Sequence, residues 1–260
     1  MQKEINAIFT IALRDFTKFL RDRMRIIFSF IFPLIFIGVL GSSLQANLGD
    51  SLGYNFIFFT VIGVLGQTLF QSTASGIISL VEDRENDFSQ EMFVSPISRY
   101  SIIIGKILGE SIVALAQTIG ILAFGLLIGV TFSLQQLLFL IPTGIIICLF
   151  GGAFGVMVLA NMGSQRTAQQ IFPFLIFPQF FLAGVFNPIQ NLPIYLHVFS
   201  RIAPMTYAVD LARNAYYWGT PEYSKVVLFK PWVDLAVVGA MTLVFITVGT
   251  YLFVKNERNR

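Results

Sequence analysis

Six long apolar runs constrain the fold of this chain more than any other feature. A helix rises about 1.5 Å per residue, so about 20 apolar residues cross the roughly 30 Å hydrocarbon core of a bilayer. The runs cover residues 26–46, 54–80, 101–130, 134–162, 167–186 and 234–254. An open strand would leave backbone groups unpaired in lipid. We therefore predict an all-α polytopic membrane protein with six transmembrane helices in one transmembrane domain, residues 1–260.

The composition indicates a bilayer as the solvent. Hydrophobic residues make up 55% of the chain and charged residues 12%, whereas a soluble domain carries about 25% charged residues. The single cysteine, Cys148, excludes an intrachain disulfide framework and a cysteine-based zinc site. We expect membrane lipids as partners and neither a metal site nor nucleic acid.

Basic residues are distributed unequally between the two sides that six spans define. One side holds only Arg201, Arg213, Lys225 and Lys230. All other Lys and Arg residues lie on the opposite side, together with both termini, which the positive-inside rule makes cytoplasmic. A seventh span at residues 194–217 would separate the termini and place Arg201, Asp210 and Arg213 in lipid, so we predict six.

Two segments are amphipathic without spanning. Residues 1–25 carry apolar side chains at helical spacing opposite basic ones, which predicts an interfacial helix. Its predicted apolar face comprises Ile5, Ile8, Phe9, Ala12, Phe16 and Phe19. Residues 187–233 are aromatic and interrupted by prolines. We predict that this segment forms short helices that dip into the outer membrane interface.

An acidic stretch, VEDRENDFSQEMFVSPISR, follows the second run at residues 81–99. Phe88 and Met92 lie four residues apart, so a short helix would present them together, and Pro96 would end it. Apolar side chains rimmed by acids are typical of a helix that docks into a groove of a soluble partner. A solvated loop helix that contacts only this chain remains the alternative.

Enzymatic chemistry has no support in the sequence. The only histidine, His197, lies in the external segment, so no span offers a base for a nucleophile. Gly105-Lys106 is followed by Ile107, and Tyr100 stands where a phosphate-binding loop needs its first glycine, so ATP is not hydrolysed by that route. We predict no catalytic residue.

Polar residues inside the spans are few and leave two interpretations open. Lys106 and Glu110 lie one turn apart in the third run, and we expect them to pair with each other near its cytoplasmic end. A proton relay at Glu110 is the alternative. Gln67, Gln71 and Ser75 share one face of the second span. They line a substrate path or form interhelical hydrogen bonds.

Two segments carry a resemblance to a known family. VEDRENDFSQEMFVSPISRYSIIIGKILGE resembles the segment after the second span of ABC-2-type permeases, the membrane subunits of type V ABC exporters. FLAGVFNPIQNLPIYLHVFSRIAPMTYAVDLAR is similar to the region that precedes the last span in that family. The family often has Gly-Thr after its acidic cluster, whereas Asp87-Phe88 stands there in this chain.

The resemblance implies a role for each segment. Residues 82–98 would be the cytoplasmic coupling helix that binds an ATPase subunit, the turn at 161–166 a second cytoplasmic contact, and residues 1–25 a connecting helix. The implied coupling residues are Glu82, Asp83, Arg84, Glu85, Asp87, Phe88, Glu91, Met92 and Pro96, and those of the second contact are Ser164 and Arg166. Residues 187–218 would form the family's external re-entrant helices before the last span, and the implied residues there are Pro193, Arg201, Pro204, Asp210 and Arg213.

The resemblance also implies partners and an activity. We expect a homodimer of permease chains in the plasma (bacterial inner) membrane, with two separate ATP-binding cassette ATPase subunits beneath it. ATP and Mg²⁺ would be bound by those partners, and no cofactor by this chain. The predicted function is export of an amphipathic drug, lipid or lipid-linked glycan by alternating access. The alternative is an ion-coupled secondary transporter or channel that works without an ATPase.

Overall fold

The computed structural model of the protein describes residues 2–85, 97–159 and 162–258. Within these ranges the chain forms helices and no β-strand. The α-helices are α1 (Gln2–Arg21), α2 (Arg23–Ile35), α3 (Ser42–Leu52), α4 (Phe56–Gly76), α5 (Ile78–Glu85), α6 (Arg99–Leu127), α7 (Leu134–Leu159), α8 (Gln165–Leu182), α9 (Ile194–Ile202), α10 (Pro204–Tyr217), α11 (Tyr223–Val226) and α12 (Pro231–Arg258). A π-helical segment, Phe36–Gly41, joins α2 to α3, and a short 3-10 helix covers Ile189–Asn191.

Among the described residues, five helical stretches are long and apolar enough to cross a membrane. They are Arg23–Asn47, Phe56–Glu85, Arg99–Leu127, Leu134–Leu159 and Pro231–Asn256. They match five of the six predicted spans, so the chain is a polytopic membrane protein. The predicted span at 167–186 corresponds to α8, whose 18 residues begin with the polar sequence QRTAQQ. That polar first third keeps α8 out of this group.

The second stretch, α4 with α5, is the most deeply buried of the five. Helix α4 packs against α6, α7 and α10. Gly151 and Gly155 of α7 lie directly against the backbone of Phe70 and Ala74, where a Cβ atom would not fit. Small residues of this kind let two membrane helices approach to backbone contact. Helix α4 is therefore the central element against which the other spans are arranged.

Helix α1 packs across the beginning of α6. Cβ atoms at Gly105 and Gly109 would lie about 3.1 Å from atoms of Ile11 and Ala12, respectively, so the two helices touch through bare backbone. Ile5 and Phe9, predicted on one apolar face with Ala12 and Phe19, are exposed. The predicted apolar face therefore combined residues from two different faces of α1. Residues 5, 9 and 13 form an exposed stripe, and residues 11, 12, 15 and 19 form a buried one.

Both chain ends lie on one side of the bundle, here called the termini end. Arg99, the first residue of α6, donates a hydrogen bond to the carbonyl of Val254 near the end of α12 at 3.4 Å. Helix α1 packs on the same first turns of α6. The opposite side, the far end, contains α9, α10 and α11.

At the far end, α10 is buried along almost its whole length between α4, α7 and α12. Pro204 occupies its first position, where a missing N–H costs nothing. The preceding residue, Ala203, has an extended backbone and separates α10 from α9. Helix α9, by contrast, exposes much of its apolar surface. The segment predicted to be external thus contains one surface helix and one helix inside the bundle.

Candidate functional site

Three charged side chains meet inside the termini end, one each from α1, α5 and α6. Lys106 Nζ lies 2.6 Å from Asp83 Oδ2 and 3.0 Å from Asp15 Oδ2. The same ammonium group donates to Ser79 Oγ at 3.0 Å. The Lys106 side chain is fully buried, and both carboxylates are nearly so. A buried charge needs such pairing to be tolerated.

Two further cations of α1 complete this arrangement, which we call the Asp83 cluster (Arg14, Asp15, Lys18, Asp83 and Lys106). Arg14 donates to both Asp15 and Asp83, and Lys18 Nζ lies 3.5 Å from Asp83 Oδ1. Asp83 therefore faces cations from two helices. The cluster fixes the last turns of the second span against α1 and α6.

A second ion pair lies beside the cluster. Arg25 Nη2 of α2 donates to Glu110 Oε2 of α6 at 2.9 Å, and Glu110 is almost inaccessible to solvent. The predicted partner of Glu110 was Lys106, and that pairing is wrong. Helix spacing allows a Lys106–Glu110 pair. However, α1 brings Asp15 and α2 brings Arg25 to this face of α6, so Lys106 and Glu110 each pair with a residue of another helix.

The Glu110 carboxylate occupies the space beside Gly76, the last residue of α4. A Cβ atom at position 76 would overlap the carboxylate. The helical hydrogen-bond pattern is interrupted at the next residue, Ile77, which separates α4 from α5. The Arg25–Glu110 pair thus lies where α4 ends and α5, the helix that carries Asp83, begins.

The predicted coupling residues are divided by the structure. Asp83 and Arg84 are buried, Glu82 is half-buried and Glu85 is exposed. The Arg84 guanidinium donates to the carbonyl oxygen of Met162. The remaining predicted coupling residues lie outside the described residues. They are Asp87, Phe88, Glu91, Met92 and Pro96.

The second predicted cytoplasmic contact lies next to the first. Met162, which accepts the hydrogen bond from Arg84, precedes the turn into α8. Ser164 caps α8 by accepting from the backbone N–H of Thr167 at 3.1 Å, and Arg166 is exposed. The structure therefore brings the end of α5 and the start of α8 together on one surface.

A cavity of about 450 Å³ lies between α2 and α4. One wall is aromatic and the other is formed by uncharged polar side chains. The lining comprises Arg25, Phe28, Ser29, Phe32, Pro33, Phe36, Val64, Gln67, Thr68, Gln71, Ser72, Ser75 and Gln117. All three predicted path residues, Gln67, Gln71 and Ser75, therefore line one cavity. Gln67 and Gln71 also bond to each other within α4, with Nε2 3.3 Å from Oε1.

The predicted external residues occupy different environments. Arg213 is buried in α10, where it donates to the Gly184 carbonyl at 2.7 Å and its guanidinium carbon lies 3.6 Å from the centroid of the Phe59 ring. Arg201 and Pro193 are exposed. Pro204, half-buried, begins α10. Arg213 therefore joins α10 to the central helix α4.

Asp210 anchors the segment that leads into the last span. Its carboxylate accepts from the backbone N–H groups of Leu228 and Phe229 at 2.9 and 2.8 Å. Burial raises the pKa of Asp210, and the two N–H donors and the charge of Arg213 moderate the rise. One helix turn away, Asn214 donates to Asp234 of α12 at 2.7 Å.

Comparison with known proteins places the chain in a family. The profile of the family described as ABC-2 type transporter matches residues 6–217, most of the chain. The chain belongs to the ABC-2 type transporter family. The match covers the amphipathic first helix, the Asp83 cluster, the cavity and the buried α10. The predicted resemblance to ABC-2 permeases is thereby confirmed.

Two relatives show how far the similarity extends. "Putative transport permease ycf38" of Cyanophora paradoxa is 23% identical over 216 residues, which are 82% of this chain and 74% of the relative. "Probable multidrug ABC transporter permease YbhR" of Escherichia coli K12 is 28% identical over 141 residues, or 54% of this chain and 38% of the relative. Its family and the names of these relatives thus identify this ABC-2 chain as a membrane transport permease.

Arg14, Asp15 and Arg25 of this ABC-2 permease were not predicted as site residues. A signal for Asp15 was present, because it lies four residues after Ile11 and four before Phe19 on the buried stripe of α1. An acid on the apolar stripe of an amphipathic helix needs a buried cation. Lys106 is the one lysine that lies within a predicted span, so it was the available partner for such an acid.

Proposed function

We propose that this chain is the membrane-spanning subunit of an ATP-driven exporter whose ATPase is a separate protein. One observation carries the proposal. The second span continues as helix to Glu85, at the start of the predicted docking stretch, and Asp83 ties this end to α1 and α6. A displacement imposed on the docking stretch would thus be transmitted to α1 and α6 through the ion pairs of Asp83.

The proposed topology has six spans and cytoplasmic termini in the plasma (bacterial inner) membrane. Helix α8 contacts α5 toward its start and α9 and α10 toward its end, so it extends from the termini end to the far end. Its 18 residues measure about 27 Å, close to the hydrocarbon thickness. Helices α9 and α10 are proposed to form the external re-entrant pair, with the exposed apolar face of α9 in the outer interface.

The proposed assembly contains two copies of this chain and two ATP-binding cassette subunits, which bind ATP and Mg²⁺. Residues 82–98 and the turn at 161–166 would contact those subunits; the adjacency of Arg84 and Met162 supports a shared surface. Glu82 and Glu85 are available at that surface. Asp83 and Arg84, being buried, would transmit the movement. ATP binding would favour one arrangement of the spans, and inverting a 1:99 equilibrium takes about 5.5 kcal/mol.

The cavity between α2 and α4 is the proposed cargo path. Its aromatic and amide walls suit an amphipathic drug, lipid or lipid-linked glycan. This assignment favours the path role of Gln67, Gln71 and Ser75 over a purely interhelical one. The exposed stripe of Ile5, Phe9 and Leu13 on α1 supports its proposed position at the cytoplasmic membrane interface.

Co-purification tests the proposal. We expect the affinity-tagged chain to retain an ATP-binding cassette subunit, identified by mass spectrometry, together with ATPase activity. The double charge reversal Glu82→Lys and Glu85→Lys should lower the retained ATPase about tenfold, since like charges across an interface oppose binding. Glu222→Lys, at the far end, is the matched control and should leave it unchanged.

A contrary outcome is equally concrete. If the purified chain alone, in proteoliposomes without any ATPase, moves cargo in response to an ion gradient, the ion-coupled alternative is correct. Equal retention of the ATPase by the double variant and by the control would remove the docking role of Glu82 and Glu85.

A further inference from the structure

A second cavity, of about 380 Å³, lies at the far end between α7, α10 and α12. Leu211 and Ala215 of α10, both buried, line its inner side. Phe139 of α7, Trp218 and Leu235 of α12 line its outer side, and each is about half exposed. The cavity therefore opens on the surface that two spans, α7 and α12, present to the bilayer. Its volume lies within the range of ligand sites.

The lining of this cavity is apolar apart from Thr143 and Asn214. The side-chain amide of Asn214 already has its partners within the protein. Its Nδ2 donates to the Phe229 carbonyl at 3.2 Å and to Asp234 at 2.7 Å, and its Oδ1 accepts from the Tyr223 hydroxyl. A ligand with several hydrogen-bonding groups would lose their hydration without compensation here, so the cavity favours a hydrocarbon chain.

Two tryptophans place the mouth of the cavity at a membrane interface. The Trp218 ring on the outer side packs edge-on against Tyr223, with centroids 5.8 Å apart. Trp232 follows the lining residue Pro231 and is largely exposed. Tryptophan is enriched where the hydrocarbon core meets the lipid headgroups. The cavity thus lies at the depth of the acyl chains, close to their headgroups.

A cation lies next to this mouth in the sequence. Lys230 precedes Pro231, is exposed, and forms no ion pair within the part of the chain that the structure describes. Asp234, one turn further along α12, is buried and accepts from Asn214 instead. A lysine at the level of the headgroups binds a lipid phosphate through a charge-assisted hydrogen bond.

We propose that this cavity holds one acyl chain of an anionic phospholipid whose phosphate is bound by Lys230. The apolar lining accounts for the chain, and the exposed ammonium group accounts for the negative charge. The bound lipid fills the space between α10 and the last span and so stabilises their contact. This inference requires only that the chain spans a membrane, and neither an ATPase nor a cargo enters it.

The fluorescence of Trp218 tests the proposal on the full chain in nanodiscs. The chain has two tryptophans, so Trp232→Phe leaves Trp218 as the only one. The probes are phosphatidylglycerol and phosphatidylcholine with the same brominated acyl chains, which quench a tryptophan that they contact, each diluted in unlabelled phosphatidylcholine. We expect half-maximal quenching by the anionic lipid at a mole fraction about fivefold lower, the preference that one lysine near the membrane surface provides.

One pair of variants tests the position of the chain. Thr143→Phe places a ring in the cavity and should abolish the quenching that saturates at a low mole fraction. Ala240→Phe adds the same ring to the exposed face of α12 and should leave that quenching unchanged. Native mass spectrometry should find one phosphatidylglycerol retained by the unmodified chain and by Ala240→Phe, and none by Thr143→Phe.

A second pair tests the headgroup. Lys230→Gln should reduce the preference for the anionic lipid to less than about twofold. Lys225→Gln, which removes an exposed lysine that bonds to the Gly53 carbonyl, should keep the preference. The thermal melting temperature of each variant verifies folding.

Three results would overturn the proposal. They are equal quenching by the two lipids, equal effects of Thr143→Phe and Ala240→Phe, and no quenching by either lipid, as expected if a second copy of the chain covers this face. Lipid binding needs no ATPase, so its failure would leave the exporter assignment untouched.

Discussion

Lys106 and Asp83 form an ion pair of 2.6 Å in which the lysine is fully enclosed by protein. The two residues come from different helices, α6 and α5, and Asp15 of α1 contacts the same ammonium group. A surface pair of this length would contribute little, but a buried pair leaves a costly charge behind when one partner is lost. The relationship makes the termini end sensitive to single substitutions.

Lys106→Met is expected to destabilise the protein by about 3–5 kcal/mol, because Asp15 and Asp83 would remain as buried carboxylates without their central cation. Lys18→Met is the matched control. Its ammonium group is half-exposed and 3.5 Å from Asp83, so its loss should cost less than about 1 kcal/mol. Thermal melting of the detergent-purified variants measures both. Similar melting temperatures for the two variants would contradict the buried role of Lys106.

Gly76→Ala is expected to destabilise by about 1–3 kcal/mol, because the added methyl group would occupy the position of the Glu110 carboxylate. Gly239→Ala in α12 meets no atom within 4 Å and should stabilise by up to about 1 kcal/mol. Opposite shifts of the melting temperature would verify the contact. A shift of the same sign and size at both glycines would mean that helix propensity alone decides.

Arg213→Lys is expected to lower stability by about 1–3 kcal/mol. A lysine lacks the planar guanidinium that lies over the Phe59 ring while donating to Gly184. Arg201→Lys, at the exposed end of α9, should change the melting temperature by less than a degree or two in either direction, since surface changes are about ±0.5 kcal/mol. Comparable losses at both positions would refute the anchoring role of Arg213.

Cysteine labelling tests the orientation of the bundle. Cys148 is buried, so it provides little background reaction. Cysteines placed at His197 or Arg201 should react with a membrane-impermeant maleimide in intact cells, whereas one placed at Arg166 should react only after permeabilisation. The reverse pattern would overturn the proposed position of the termini in the cytoplasm.

The sequence was sufficient for five of the six predicted spans because length and apolar composition are local properties. Residues 134–162, for example, correspond to α7 within three residues at either end. The predicted span at 54–80 ended too early, since Asp83 was assigned to the cytoplasmic coupling helix, whereas it is buried in α5 and pairs with Lys106. A charge inside a helix is predicted correctly only when its partner is known.

The remaining errors concern partners from distant parts of the chain. Lys106 and Glu110 were expected to bond to each other, and instead Lys106 pairs with Asp83 and Asp15 whereas Glu110 pairs with Arg25. Helical spacing identified Gln67, Gln71 and Ser75 as one face, but only the position of α2 shows that this face borders a cavity. Tertiary packing, which no local pattern encodes, decides both cases.

The interruption at Ile77 has a mechanical consequence. Helix α5 has eight residues and is therefore about 12 Å long. A tilt of about 10° around Ile77 would move its far tip by about 2 Å, comparable to the helix shifts of 1–2 Å found at switching interfaces. Asp83 lies two residues before that tip. A small displacement of the end of α5 would therefore move Asp83 and, through its ion pairs, shift α1 and α6.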